Sequence, residues 1–344
     1  MKIKKSVKLS KYCSFRTGGN ARFFCIVKNL SDLKKAISFS KENKIKFFIL
    51  GGGSNVLIND AGFSGLVIKN EILCKEVFSR GIISFGAGEK WDGCVLFSIK
   101  NNLFGLENLS YIPGTVGGSA VQNIGAYGAE AKDFILKVEV YDVVSGEVFQ
   151  LKNKDCNFSY RNSIFKNNKN LIITKVYFSL DKKFKANLNY SGIVEKIEEN
   201  SQKKRKNIKR EVTAIDVRNA VISIRKSKLP EVSELGSAGS FFKNPVLDRK
   251  DLKKIQNIHP DIKFFSGKGA EKGKFKISLS YILDKICNLK GFRKGTVGFY
   301  NNQSLVIVNF GKANTKEILE LAEIAEKKVK EKIGIKIQME VEKI

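Results

Sequence analysis

Apolar residues along this chain shift repeatedly between alternation and helical spacing, and the shifts predict a string of short elements. Residues 21–27 (ARFFCIV) and 46–50 (KFFIL) have strand character. Between them, SDLKKAISFSKENK sets Leu33, Ala36, Ile37 and Phe39/Ser40 at helical spacing, with Ser31 as the expected N-cap. The second strand runs into a glycine turn at 51–53, and 55–58 (NVLI) resumes as strand. Short β runs follow over 63–87, then a helical stretch at 91–101 (WDGCVLFSIKN). Residues 137–144 and 148–151, joined across Ser145-Gly146, predict a hairpin. Residues 155–161 lead into 171–180 (LIITKVYFSL), which alternates as a strand, so an α+β front half with a mixed or antiparallel sheet is expected.

The back half is more helical. Residues 186–210 are polar and Lys-rich around a lone Tyr190 and read as an insertion or linker. Residues 213–226 (TAIDVRNAVISIRK) form an amphipathic helix capped by Thr213, with a break at Leu229-Pro230. Residues 236–245 (GSAGSFFKNP) read as a specialised loop. A helix over 277–290 stops at Gly291, and 305–308 (LVIV) is a buried strand. A long helix over 315–333, capped by Thr315, ends at Gly334, and 335–341 (IKIQMEV) alternates as a final strand. A second domain starts near Ser227, and the sequence has no internal repeat.

A chain of 344 residues implies two or three domains, and 42% hydrophobic residues suffice for ordinary cores. With no apolar run of about eighteen residues and no apolar segment after the basic N-terminus, neither a membrane span nor a signal peptide is expected. A cytoplasmic protein follows. The six cysteines are scattered singly, without C-x-x-C, which disfavours a disulfide framework or a zinc site. A single histidine, His259, leaves His-based triads and multi-His metal sites without their ligands. The net charge of +28 comes almost wholly from Lys spread along the chain. Its densest cluster, 203–210 (KKRKNIKR), has no interleaved aromatics to stack bases and reads as a solvated loop or helix face. Dedicated nucleic-acid recognition is therefore not expected.

Against that basic background, residues 111–130 (YIPGTVGGSAVQNIGAYGAE) contain five glycines and no Lys or Arg. Dense glycine allows φ > 0 and lets a ligand approach main-chain N–H groups. A buried loop of tight turns is the plainer alternative. The second glycine turn at 51–53, sixty residues upstream, favours two turns converging on one elongated phosphate-bearing ligand. A Rossmann site is excluded, because GGGSN is followed by strand-like residues and Asp60-Ala61-Gly62 instead of a helix.

Together these segments resemble the UDP-N-acetylenolpyruvoylglucosamine reductase family, flavoenzymes that complete UDP-N-acetylmuramate. The likeness is carried in order by GGGSNVLI (51–58), GLENLSYIPGTVGGSAVQNIGAYGAE (105–130), YRNSIFK (160–166), RKSKLP (225–230), AGSFFKNP (238–245) and LKGF (289–292). It covers nearly the whole chain. The fold it implies is α+β: a vanillyl-alcohol-oxidase/p-cresol-methylhydroxylase-type FAD-binding domain of two α+β subdomains, plus a smaller α+β substrate-binding domain. The expected FAD-binding region is 1–226, with its core at about 15–182 and an inserted Tyr190 loop and linker at 183–212. The substrate domain would occupy 227–334, and 335–344 would return as a strand to the active site.

The resemblance implies an FAD cradled by the two glycine turns, through Gly51, Gly52, Gly53, Ser54 and Asn55, and through Pro113, Gly114, Thr115, Gly117, Gly118, Gln122, Asn123, Gly125, Ala126 and Tyr127. Superfamily flavins are sometimes tethered through His, but His259 falls in the substrate domain, so a noncovalent FAD is expected. The implied reaction is NADPH-dependent reduction of UDP-N-acetylglucosamine enolpyruvate, by a monomer. Arg161 matches the family's arginine for the substrate carboxylate, whereas a lone Arg is otherwise a surface ion-pair partner. Ser240 matches the family's proton donor, although a serine in a Gly-rich loop equally suits an ST-turn. Glu340 matches the C-terminal glutamate, and Gln338 stands where relatives often carry an acid. Tyr190, Arg225, Lys228, Asn244, Asn302 and Gln303 match substrate-holding positions, with Lys243 an equal candidate for the phosphate. Two alternatives stay open: another flavin oxidase or dehydrogenase of the superfamily, and a basic nucleic-acid-binding protein.

Overall fold

Strand Asn20–Val27 pairs in parallel with Phe63–Asn70, which pairs in parallel with Phe47–Leu50; Lys4–Lys8 completes this four-stranded sheet. The computed structural model describes the backbone of residues 1–190, 192–203, 211–267 and 272–344. Helix Leu30–Glu42 is the crossover that carries the chain from Asn20–Val27 to Phe47–Leu50, parallel strands on either side of Phe63–Asn70. Its apolar stripe, Leu33, Ala36 and Ile37, is buried against Cys25, Val27, Leu66 and Ile68. The cap is Asn29, whose side chain accepts from Asp32 N, and not Ser31 as the sequence suggested. Both residues suit the position, and the extended backbone at residue 29 decides between them.

A second sheet is wholly antiparallel, in the order Val148–Lys152, Ile135–Asp142, Leu171–Ser179, Ile82–Gly86, Lys75–Val77. The expected hairpin is its edge. Helix Trp91–Lys100 packs its buried residues on this sheet, and Trp91, Phe85 and Phe178 form one aromatic cluster. Each such side chain contributes roughly 1.5–3 kcal/mol on burial. The indole N–H of Trp91 is satisfied by the Leu109 carbonyl at 2.8 Å. A short helix, Ile164–Asn167, interrupts the segment that leads into strand Leu171–Ser179.

The polar stretch read as an insertion or linker carries a helix in its described part. It contains helix Ile193–Lys203, whose Ile193 and Ile197 are buried with Val217, Val221 and Ile224 of helix Ala214–Lys228. The i, i+4 pair of isoleucines is the local helical signal, set among Glu195, Lys196, Glu198 and Glu199. Thr213 caps the second helix as expected. The basic cluster at 203–210 lies, from residue 204 on, outside the described residues.

The chain divides into two units. One comprises Met1–Val7, Ala21–Gly53 and Phe63–Ser227; the other comprises Lys8–Asn20, Ser54–Gly62 and Lys228–Ile344. In the second unit, antiparallel strands Gly236–Ser240, Gln303–Asn309, Val297–Tyr300 and Arg293–Lys294 form a sheet, and helix Thr315–Ile333 contributes Ile318, Leu321, Ala325 and Val329 to the buried interior. A smaller sheet holds Val246–Leu247, Phe275–Ile277 and Phe264–Ser266.

Three expectations in this unit need correction. The long helix is capped by Asn314, in a capping box with Glu317, and not by Thr315. The segment 277–290 is a short helix, Leu279–Tyr281, that continues as a π turn over Ile282–Ile286. The tail does not form a strand over 335–341: it makes one bridge, Phe242 to Met339, and pairs in parallel only at Glu342–Lys343, beside Val56–Leu57. Alternation identified an extended segment but not where its partner lies. No helix among the described residues is long and apolar enough to cross a membrane.

Candidate functional site

The two glycine turns meet within the first unit. A Cβ on Gly52 would lie 2.5 Å from the Gly114 Cα, and one on Gly51 would lie 2.8 Å from Thr115 Oγ1. Only glycine allows that approach, so glycine at 52 has a packing reason. The region 111–130 is not a loop throughout, because Val116–Gln122 is a helix capped by the Thr115 side chain. The first N–H groups of this helix are taken: Val116 N donates to Glu89 O and Gly117 N to Ala87 O, both at 2.9 Å. Among the described residues, nothing in the protein accepts from the N–H groups of Gly51, Gly52 and Thr115. Lys69, its pKa lowered by burial, donates to the Gly51 carbonyl. Packed turns with main-chain donors to spare fit a diphosphate-bearing cofactor.

Other candidates make contacts within the first unit or end one of its helices. Asn123, fully buried with φ +43°, donates to Ser159 O at 2.9 Å and Glu130 Oε2 at 3.1 Å and accepts from Lys132 N at 3.0 Å. Gln122 Oε1 accepts from Lys166 Nζ at 2.8 Å. Arg161 Nη2 donates to the Gly125 carbonyl at 2.6 Å, and the guanidinium sits 5.2 Å from the Tyr160 ring centroid. Tyr127 meets Tyr190 edge-on, centroids 4.9 Å apart, and burial raises both phenol pKa values. Arg225 Nε donates to the Tyr111 carbonyl at 3.0 Å. Lys228 ends its helix and is exposed.

In the second unit, Ser240 ends a strand carrying a bulge. Ser237 opposes Val308, but Ser240 opposes Val306, so three steps on one strand match two on the other. Gly239, at φ +72°, absorbs the extra residue. One inserted residue reverses the face to which the following side chain points. The ST-turn belongs to Ser237, whose Oγ accepts from Gly239 N at 3.4 Å; among the described residues no protein group bonds the Ser240 hydroxyl. Glu340 lies on the neighbouring segment, its N–H donating to Phe241 O at 2.8 Å. Asn55 Nδ2 donates to Glu340 O at 3.2 Å, and Asn55 O accepts from Glu342 N at 3.0 Å. Asn244 Oδ1 accepts from Leu279 N at 3.0 Å, Gln303 Oε1 from Ser280 Oγ at 2.5 Å, and Asn302 lies in an exposed turn. His259 caps helix Arg249–Ile258, with Nε2 3.4 Å from Lys332 O.

Sequence reasoning missed Asp92 and Arg218. They form a bidentate ion pair, Nη1–Oδ1 at 2.6 Å and Nη2–Oδ2 at 2.7 Å, and Asp92 Oδ1 also accepts from Tyr111 N at 2.5 Å. A separation of 126 residues left no local signal. Among the described residues no cluster of His, Cys, Asp and Glu could hold a metal. Burial pushes the thiols of Cys25 and Cys156 up to about 12, so neither supplies a thiolate near neutrality.

The front of the chain defines a class first: residues 21–152 match the FAD binding domain family. Residues 231–344 match the C-terminal domain of UDP-N-acetylenolpyruvoylglucosamine reductase. The reductase of Flavobacterium johnsoniae is 40% identical over 349 aligned residues, covering 99% of each chain. That of Chromobacterium violaceum is 36% identical, covering 99% of this chain and 98% of its own. The crystal structure of the Thermus caldophilus reductase superposes with a TM-score of 0.69 at 25% identity, covering 100% of this chain and 99% of that one. The chain belongs to the UDP-N-acetylenolpyruvoylglucosamine reductase family and is an FAD-dependent oxidoreductase.

Proposed function

We propose that the chain reduces the enolpyruvyl ether of UDP-N-acetylglucosamine enolpyruvate to UDP-N-acetylmuramate, with NADPH as reductant, as a cytoplasmic monomer making peptidoglycan precursor. The observation that carries this is the full-length identity of 40% to a reductase of that name. FAD, when bound by the Gly51–Gly53 turn and the Gly114–Thr115 turn, supplies the hydride taken by the terminal vinyl carbon. NADPH leaves before the enolpyruvyl substrate enters. Negative charge then develops on the adjacent carbon and its carboxylate.

Arg161 is assigned to that carboxylate, because its planar fork suits two oxygens and its bond to Gly125 O orients the guanidinium. Ser240 is assigned the proton donated to the carbanion. A hydroxyl is a weak acid that protonates only a strongly basic centre. Its support is a hydroxyl with no protein partner among the described residues, at a bulge that sets its direction. Glu340 is assigned to stabilising the same charge. Tyr190, Arg225, Lys228, Asn244, Asn302 and Gln303 are assigned to the sugar nucleotide. The oxygen of Gln303 is engaged within the fold, so its NH₂ group is the one offered.

The test is to run the reaction in deuterium oxide. The reading predicts UDP-N-acetylmuramate formed with oxidation of an equal amount of NADPH, one deuterium being on the carbon that bears the carboxylate. NADPH oxidation that is driven by oxygen and indifferent to the enolpyruvyl substrate would favour the oxidase alternative.

A further inference from the structure

Tyr111 opens the second glycine turn at φ +60°, a left-handed conformation that strains a non-glycine residue unless its surroundings hold it. Both of its main-chain polar groups are held by side chains. Its N–H is taken by Asp92 Oδ1 at 2.5 Å and its carbonyl by Arg225 Nε at 3.0 Å. Asp92 is in turn gripped by Arg218, two turns of helix before Arg225 on Ala214–Lys228. The Arg218 side chain is 9% exposed and that of Asp92 32%. Burial raises the Asp92 pKa, but the Arg218 hydrogen bonds and the Tyr111 N–H outweigh it and hold the carboxyl below its ordinary value. Three residues beyond Tyr111 comes Gly114, whose Cα a Cβ on Gly52 would approach to 2.5 Å.

We propose that the Arg218–Asp92 pair is a positioning device for FAD: it holds Tyr111 in its left-handed conformation and thereby sets where the Gly114 turn meets the Gly52 turn. A half-buried pair of this kind is weak evidence of a stabilising role, since apolar replacements of similar volume are often neutral or better. Here its second acceptor contact is to the backbone of the glycine turn, and that contact gives the pair its role. The inference rests on the assignment of the two glycine turns to FAD.

The experiment titrates FAD into the folded apo-protein, reading flavin fluorescence and the visible circular dichroism of the bound flavin. Wild type, Arg218→Lys, Arg218→Met, Asp92→Asn and Gly52→Val are compared, with Tm measured without FAD for each. Lys keeps the charge but loses the fork, and Asn keeps the shape but loses the charge. The proposal predicts that Asp92→Asn and Arg218→Met each weaken FAD binding about tenfold, with Arg218→Lys between them and wild type. Joined in one chain, Asp92→Asn and Arg218→Met weaken binding no further than either alone, because they break one device. The visible circular dichroism changes shape in the same variants. A lower Tm with unchanged FAD affinity and spectrum in Asp92→Asn and Arg218→Lys overturns the proposal while the glycine-turn assignment stands, provided Gly52→Val loses FAD. If Gly52→Val also binds FAD as wild type does, the assignment fails and the proposal with it.

Discussion

Arg161 reaches the Gly125 carbonyl with Nη2 at 2.6 Å, and a Cβ at Gly125 would stand 2.9 Å from Arg161 Nη1. The bare glycine thus leaves room for the guanidinium that the proposed mechanism aims at a carboxylate. Gly125→Ala should push the guanidinium aside, lowering kcat by about tenfold or more while the flavin spectrum is retained. Arg161→Lys should cost about 10²-fold or more, because a point charge cannot replace the fork. Steady-state kinetics beside the visible spectrum check both, and unchanged kcat in Arg161→Lys would remove Arg161 from the chemistry.

Ser240→Ala should cut turnover by about 10²–10⁴-fold while flavin reduction by NADPH stays intact. Stopped-flow traces of the two half-reactions separate these steps. Equal loss in both would take Ser240 out of the donor role. Gly239→Val, at φ +72°, strains the bulge that directs Ser240 and should lower both Tm and turnover.

Two carboxylates predict opposite pH slopes of stability. Burial raises the pKa of Glu107, which is 3% exposed and accepts from Gly105 N with both oxygens at 2.9–3.0 Å. The unfolded chain loses this proton first, so stability falls as pH rises from the ordinary 4.5 toward the raised folded value. Glu107→Gln should remove that decline. Asp92 is shifted downward, so its contribution is complete above its ordinary 3.8 and is lost as pH falls through the lower folded value. Urea unfolding across about pH 3–7, a range that spans both ordinary carboxyl values, reads both. A Glu107→Gln profile parallel to wild type would contradict the first assignment.

The tail secures the segment 54–62 in its own unit through three backbone bonds: Glu342 N to Asn55 O at 3.0 Å, Ile344 N to Leu57 O at 3.0 Å, and Asn59 N to Ile344 O at 2.8 Å. Removing residues 342–344 should lower stability by about 1–3 kcal/mol, judged from the net worth of each bond. Thermal unfolding of the truncated chain checks this, and an unchanged Tm would show the pairing contributes nothing.

The alternating strand Leu171–Ser179 and the hairpin beside it were legible, and so were the glycine turns, since 51–53 and 114–118 stand out in a basic chain. What was hidden has physical reasons. Asn29 against Ser31, and Asn314 against Thr315, are choices between neighbouring residues of equal capping chemistry, settled by backbone geometry. Helix Val116–Gln122 was concealed by glycines that disfavour helix yet permit close packing on Ala87, 3.0 Å from a Cβ at Gly117. The bulge at Gly239 depends on register with Val306 and Val308, which one strand alone does not specify. The Asp92–Arg218 pair joins residues distant in sequence, and only folding puts them together.

The most direct measurement is an anaerobic absorbance titration of the purified protein. The account predicts a yellow protein that NADPH bleaches and that regains its colour when UDP-N-acetylglucosamine enolpyruvate is added. A colourless protein that takes up no added FAD, or a bleached one that the enolpyruvyl sugar nucleotide leaves bleached and only oxygen restores, would contradict it.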